Sequence, residues 1–328
     1  MPKEDKWTHH SVITNYPQPP YGPYELKPDE NYDNIIMYPS NKNIYDKSQN
    51  DYIKGGEGDD GIWGGADGDD QLFGGGGNDN LHGDIGNDLL FGGNGNDELY
   101  GGNGHNSDDN DDDSLHGEQG DDLLYGRRGN DYLNGGTGND TLYGQQGDDE
   151  LRDDSGHNQL SGDAGNDTLW GGNHKDTLEG GQGSDYLVGN RGSDRLYGDE
   201  GNDTLRGFDD DGFDEAYFEL DTLTGGSGYD IFIINDSKRV AQINSKSNSS
   251  DSPYTIITDF SAEHDMIQAH GNADDYTLEY GLGKSNLDTG IYMGDTLVAV
   301  VKKTTDVLID RDFYLGSGNS SSPSDPYP

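Results

Sequence analysis

The sequence predicts an all-β solenoid in which a nine-residue unit supplies one tight turn and one very short strand, closed by a small C-terminal β cap. Three observations predict it. A phrase G-G-x-G-x-D-x-L-x returns from residue 55 to about 233, an acidic excess is spread through that phrase, and ordinary strand patterns follow it. Residues 74–82, 135–143 and 180–188 are well-kept copies, and among the unit starts from Gly55 to Gly225 only Asp153 is not glycine.

Glycine at positions 1, 2 and 4 permits positive φ and close backbone approach, whereas the x-L-x triplet suits a short strand. Two units complete a coil, so strand n stacks on strand n+2 at about 4.7–4.9 Å. Position 8 is the one expected to point inward, from Ile62, Leu72 and Leu81 through to Leu205, Leu223 and Phe232. One large side chain per nine residues is a thin core. It buries too little apolar surface to offset the conformational entropy of ordering the region. In this geometry the ninth positions of alternate units share a face, and one face carries Trp63, His82, Tyr100, Tyr125 and Tyr143. That ladder either stabilises its own sheet by cross-strand contact or offers rings to a glycan or protein partner.

Composition states what the core lacks. A chain of 328 residues with 28% hydrophobic residues and a formal net charge of −45 would be opposed by self-repulsion when compact. The acids recur once or twice per unit instead of forming a block, which points to a distributed cation load. Position 6 supplies the carboxylates: Asp60, Asp70, Asp79, Asp88, Asp97, Asp122, Asp131, Asp140, Asp149, Asp167, Asp176, Asp185, Asp194, Asp203 and Asp230. A hard carboxylate beside unobstructed turn carbonyls suits Ca²⁺, which takes about six to eight oxygens. Zinc is a poor match, since the histidines hold no repeated position and there is no cysteine. Magnesium keeps waters that an all-protein cage leaves no room for. A single Asp would read as a turn cap, but the in-phase series does not. Several calcium ions are therefore the expected cofactor, with the metal-free region disordered and the metal-bound region folded.

The same charge argues against nucleic acid and anionic membrane as partners. The first ten residues lack the apolar core of a signal peptide and no run is apolar enough to span a membrane. The expectation is a protein that stays inside the cell or leaves without a cleaved N-terminal signal.

Four regions are expected. Residues 1–54 are a Tyr/Pro-rich arm or cap, with 35–53 covering the first coil; 55–233 are the repeats; 234–316 are the β cap; 317–328 have the composition of a disordered Ser/Pro tail. Three irregularities interrupt the phase: one extra residue near 66–67, seven extra within 101–116, and an eighteen-residue stretch at 207–224 expected to form one complete coil.

The repeats, with 225–232 and then 257–267, resemble the RTX, or haemolysin-type calcium-binding, family over roughly two thirds of the chain. The resemblance implies a right-handed parallel β-roll, a β-helix-like solenoid. It adds Asp259, and after it Asp265, as ligands of a terminal site. It implies type I secretion with an uncleaved C-terminal signal, hence the type I secretion machinery as a transient partner and folding in calcium-rich surroundings at the cell surface or outside. Against the family pattern, Asn158 replaces a ligand Asp, which implies weak or empty sites at that turn. The insertion before Asp113 implies lost sites on either side, and the tail displaces any export signal from the extreme end.

Family members often join the roll to an enzyme, but no H-E-x-x-H, nucleophile elbow or P-loop is present, and Ser114 breaks an EF-hand reading of the acidic insertion. The expected function is a secreted calcium-binding protein with a structural, surface-associated or adhesive role. The alternatives are an extracellular hydrolase or epimerase using His264, Asp265 and His270 of the C-terminal β region, or a glycan-binding module using the aromatic ladder.

Overall fold

The computed structural model describes residues 34–37, 43–45, 50–65, 68–103, 111–208, 220–234, 254–282 and 287–316. The tail at 317–328, most of the arm and the extra residues at 66–67, 104–110 and 209–219 lie outside the described residues. The chain divides into two compact units, Met1–Gln146 and Gly147–Pro328.

In the first unit, strands alternate between two parallel sheets. One holds Asn34–Met37, Asp51–Glu57, Gln71–Gly76, Leu89–Asn94, Ser114–Gln119 and Tyr132–Thr137; the other holds Asn43–Tyr45, Gly61–Gly65, Asn80–Asp84, Glu98–Gly102, Leu123–Arg128 and Thr141–Gln146. Each strand pairs with the next but one, and like positions meet: Leu72 lies opposite Leu90 and Leu124 opposite Leu142. Two strands of the expected arm join these ladders, with Ile44 beside Ile62 and Ile35 beside Tyr52.

The second unit repeats the plan. Glu150–Arg152, Thr168–Trp170, Tyr186–Val188, Thr204–Arg206, Ile231–Ile233, Met266–His270 and Phe313–Gly316 form one sheet. Gln159–Ala164, Thr177–Gln182, Arg195–Glu200, Leu220–Ser227, Tyr254–Ile257 and Thr296–Val301 form the other, which ends in the antiparallel strands Asp288–Met293 and Tyr276–Leu282. Helical structure among the described residues is confined to the turns Ala273–Asp275 and Ile309–Asp312.

Three expectations change. The parallel ladder does not stop at 233, because Phe232 stacks on Ile267 and Leu223 on Ile257, so the first strands of the expected cap belong to the same two sheets. The stretch 207–224 is not a complete coil. Leu196 pairs with Leu223 and only one strand is added to that sheet, so the stretch does the work of a single unit. Position 8 is also not alone in facing inward. Asp79, Leu81 and Gly83 are buried in turn, and the same alternation recurs along the chain, because a strand shows every second residue to one face. Positions 6, 8 and the following position 1 thus form one inward triad of Asp, Leu and Gly.

Candidate metal centre

The inward Asp residues form hydrogen-bonded rows, one at the entry to each sheet. In the first unit the backbone N–H of Asp51 donates to Asp70 Oδ1 at 2.8 Å, Asp70 to Asp88, Asp88 to Asp113, and Asp113 to Asp131. The second row runs Asp60, Asp79, Asp97, Asp122, Asp140 in the same sense. In the second unit one row runs Asp149, Asp167, Asp185, Asp203, Asp230, Asp265, and the other Asn158, Asp176, Asp194, Asp221. All fifteen sequence-predicted position-6 aspartates lie on these rows, each at most 3% exposed.

Each carboxylate that accepts within a row spends one oxygen on it. The second oxygen of Asp79, Asp88, Asp97 and Asp122 in the first unit, and of Asp167, Asp176, Asp185 and Asp203 in the second, is buried and receives no hydrogen bond. A buried carboxylate left half-satisfied is costly. Accordingly burial pushes the carboxyl of Asp79 up to about 7, that of Asp88 to about 9, that of Asp176 to about 8 and that of Asp203 to about 8.

The surroundings of that oxygen explain the glycine at position 1. A Cβ built on Gly74 would fall under 3.0 Å from both Asp79 Oδ2 and the carbonyl oxygen of Gly92; on Gly180, from both Asp185 Oδ2 and the Gly198 carbonyl. A carboxylate oxygen without a donor and a backbone carbonyl oxygen therefore converge at the same glycine, at Gly74, Gly117, Gly180 and Gly198 among others. A hard cation resolves that arrangement, and a carboxylate with backbone carbonyls is the donor set Ca²⁺ prefers. Among the described residues no three acidic or histidine side chains gather at one point, so a coordination shell there would draw on backbone carbonyl or water oxygens beside the carboxylates.

Sequence reading missed three members of the rows. Asp113 keeps its place because the insertion leaves the pairing intact, with Leu90 opposite Leu115, and the row runs unbroken from Asp88 through Asp113 to Asp131. Asp51 and Asp221 are the others, whereas Asp265, which the family resemblance implied, ends its row. The available signal was D-x-L or D-x-I immediately before an inward residue, whatever glycines precede it. Asp259 stands apart from the rows: it is exposed, lies after its strand instead of before it, and its two oxygens accept from the N–H groups of Gly225 and Gly226 at 2.9 and 2.8 Å. On the other side Thr255 stands opposite Asp221, and that row gains no further carboxylate.

Position 5 was read as unspecified, yet it forms a second, exposed ladder running the opposite way. Asp59 Oδ1 accepts from the N–H of Asn78, Asn78 from Asn96, and Asn96 from Asp121. The recurrent Asn/Asp at that position are side-chain caps on the next turn.

The model of the RTX calcium-binding nonapeptide repeat matches in overlapping segments that together cover residues 43–205. Among solved structures, the AlgE6R3 subunit of the Azotobacter vinelandii mannuronan C5-epimerase is similar at 23% identity and a TM-score of 0.31, covering 47% of this chain and 92% of that one. No curated protein matches in sequence. With the nonapeptide phrase, the parallel sheets and the buried aspartate rows in place, the chain belongs, through residues 43–205, to the family of RTX calcium-binding repeat proteins.

Proposed function

We propose that the two rows in each unit bind several calcium ions, that the chain folds on binding them outside the cell, and that the folded roll serves a structural, surface-associated or adhesive role. One observation carries the calcium assignment: buried carboxylate oxygens without donors converge with carbonyl oxygens at successive position-1 glycines. The ligand carboxylates are the fifteen position-6 aspartates together with Asp113, Asp221 and Asp265. In Asp79, Asp88, Asp97, Asp122, Asp167, Asp176, Asp185 and Asp203 the ligand would be the oxygen that receives no hydrogen bond, while the other oxygen holds the neighbouring turn in register.

The folding half follows by linkage, since a cation bound only by assembled turns stabilises the assembled state. It suits export of an unfolded chain through a calcium-poor compartment, the type I route that the repeats suggest. A catalytic role for the C-terminal region is less well supported. Both oxygens of Asp265 accept backbone N–H groups, from Asp230 and Ser261, and His264 packs edge-on against Tyr229. Far-ultraviolet circular dichroism of the full chain with millimolar calcium and with excess chelator tests the proposal. Strand signal is expected only with calcium, and a signal that persists in chelator rejects it.

A further inference from the structure

One turn of the second unit closes without the convergence of acceptors seen elsewhere. Asn158 is buried at position 6, and its backbone N–H donates to Asp176 Oδ1 at 2.8 Å, so it holds the row like any aspartate. Its side chain differs. The amide Nδ2 donates to the carbonyl oxygen of Gly171 at 3.3 Å, and Gly171 is the position-1 residue of the next unit on that side. At Gly74, Gly117, Gly180 and Gly198 a carboxylate oxygen sits beside the corresponding carbonyl; here an N–H does.

A second departure sits in the same unit. Position 1 is Asp153, the one non-glycine start among the units from 55 to 225. At the glycine starts a Cβ would collide with the position-6 carboxylate oxygen, under 3.0 Å away at Gly162, Gly171 and Gly180. Asp153 carries that Cβ, and its own carboxylate accepts from the N–H of Ser155 at 3.0 Å, turning back into its own loop. The glycine that makes room for a ligand carboxylate and the carboxylate itself are thus lost together.

We infer that Asp153 and Asn158 form a cation-independent link: the Asn158 amide satisfies the Gly171 carbonyl that an ion satisfies elsewhere, and the pair withholds one calcium site from the second unit. The inference rests on the calcium reading of the rows. It gives the coil a hydrogen-bonded turn whose closure does not depend on calcium concentration, between turns whose closure does.

Bound calcium per full-length chain, measured by elemental analysis after dialysis at saturating calcium, tests it with circular dichroism as the check on folding. The double variant Asp153→Gly/Asn158→Asp is expected to hold one more ion than wild type. Asn158→Asp alone, with the Asp153 Cβ in place, is expected to gain none, and a gain there overturns the role of Asp153. Asn158→Ala is expected to keep the wild-type count while melting at lower temperature. A count that falls by one in Asn158→Ala overturns the inference, because Asn158 would then hold an ion through its amide oxygen. A folded double variant with an unchanged count also overturns it. Wild type that binds no calcium sinks the underlying reading instead, so the two failures are told apart.

Discussion

The two units are built alike on their inward positions and differ on their outer faces. In both, Asp, Leu and Gly alternate inward at positions 6, 8 and 1. At position 9 the first unit stacks rings. Trp63, His82, Tyr100, Tyr125 and Tyr143 follow one another at 5.3, 4.6, 4.9 and 5.1 Å, with planes within 11°. On the other sheet Phe73, Phe91 and His116 do the same at 5.1 and 4.7 Å. The second unit places Arg152, Trp170, Val188 and Arg206 along one face and Ser161, Glu179, Tyr197 and Thr224 along the other. The inward triad is dictated by close packing and by what must sit between turns. The outward position is not, and any planar group placed there stacks at the strand spacing. Because the rings face each other, their faces are already covered. A sugar packs on a ring face, so the ladder reads as cohesion within the sheet, not as a glycan platform.

The largest effect should ignore this difference. With calcium removed at neutral pH, amide exchange of the full chain is expected to lose protection in both units, since the half-satisfied carboxylates occur in both. Protection that survives around residues 80–143 alone would show that stacking can hold a roll without ions.

Acidification should come next and should also treat the units alike. Burial lifts Asp79 and Asp122 to about 7 and Asp97 to about 6 in the first unit, and Asp167 to about 8 and Asp185 to about 6 in the second. In the unfolded chain these groups titrate near 4. A carboxyl whose folded value is raised favours the fold while protonated, fully below the unfolded value, and that contribution is lost as pH rises through the folded values. The calcium-free chain is therefore expected to gain strand signal when pH falls from about 8 to about 5, and calcium affinity to weaken over the same window. Strand signal that is flat, or that rises with pH, contradicts the assignment.

How far the fold was legible follows from the same triad. The nine-residue period was enough to place the Leu row, the alternate-strand pairing and fifteen buried aspartates, because each depends on local spacing. Asp113 was not legible because the insertion hides the phase, although the pairing of Leu90 with Leu115 tolerates it. The place of Asp259 outside the rows was not legible either, because likeness to a closing segment ignores which side of a strand a residue occupies. The Asn/Asp ladder at position 5 escaped because a cap on the next turn is a contact eighteen residues away, which a nine-residue phrase does not display.

Smaller effects separate the units more finely. Leu124→Ala and Leu187→Ala remove fully buried side chains from the first and second unit respectively. Each is expected to cost about 2–5 kcal/mol in calcium-saturated unfolding, with similar values if the interiors are equivalent. A consistent gap between them would mean that the outer ladder stiffens the first unit enough to resist or amplify a core void.

The ladder itself should give the smallest change. Tyr125 stacks on Tyr100 at 4.9 Å and on Tyr143 at 5.1 Å, and Arg127 lies over the Tyr100 ring. Aromatic pairs are worth about 0.5–1.5 kcal/mol each beyond area burial. Tyr125→Ala breaks two pairs and is expected to cost about 1–3 kcal/mol, whereas Tyr197→Ala, on a face without a ring ladder, should cost less. Calcium stoichiometry should be unchanged in both variants, because position 9 points away from the rows. If Tyr125→Ala also lowers the ion count, the outer face sets the spacing of the turns, and the division between a dictated interior and a free exterior fails.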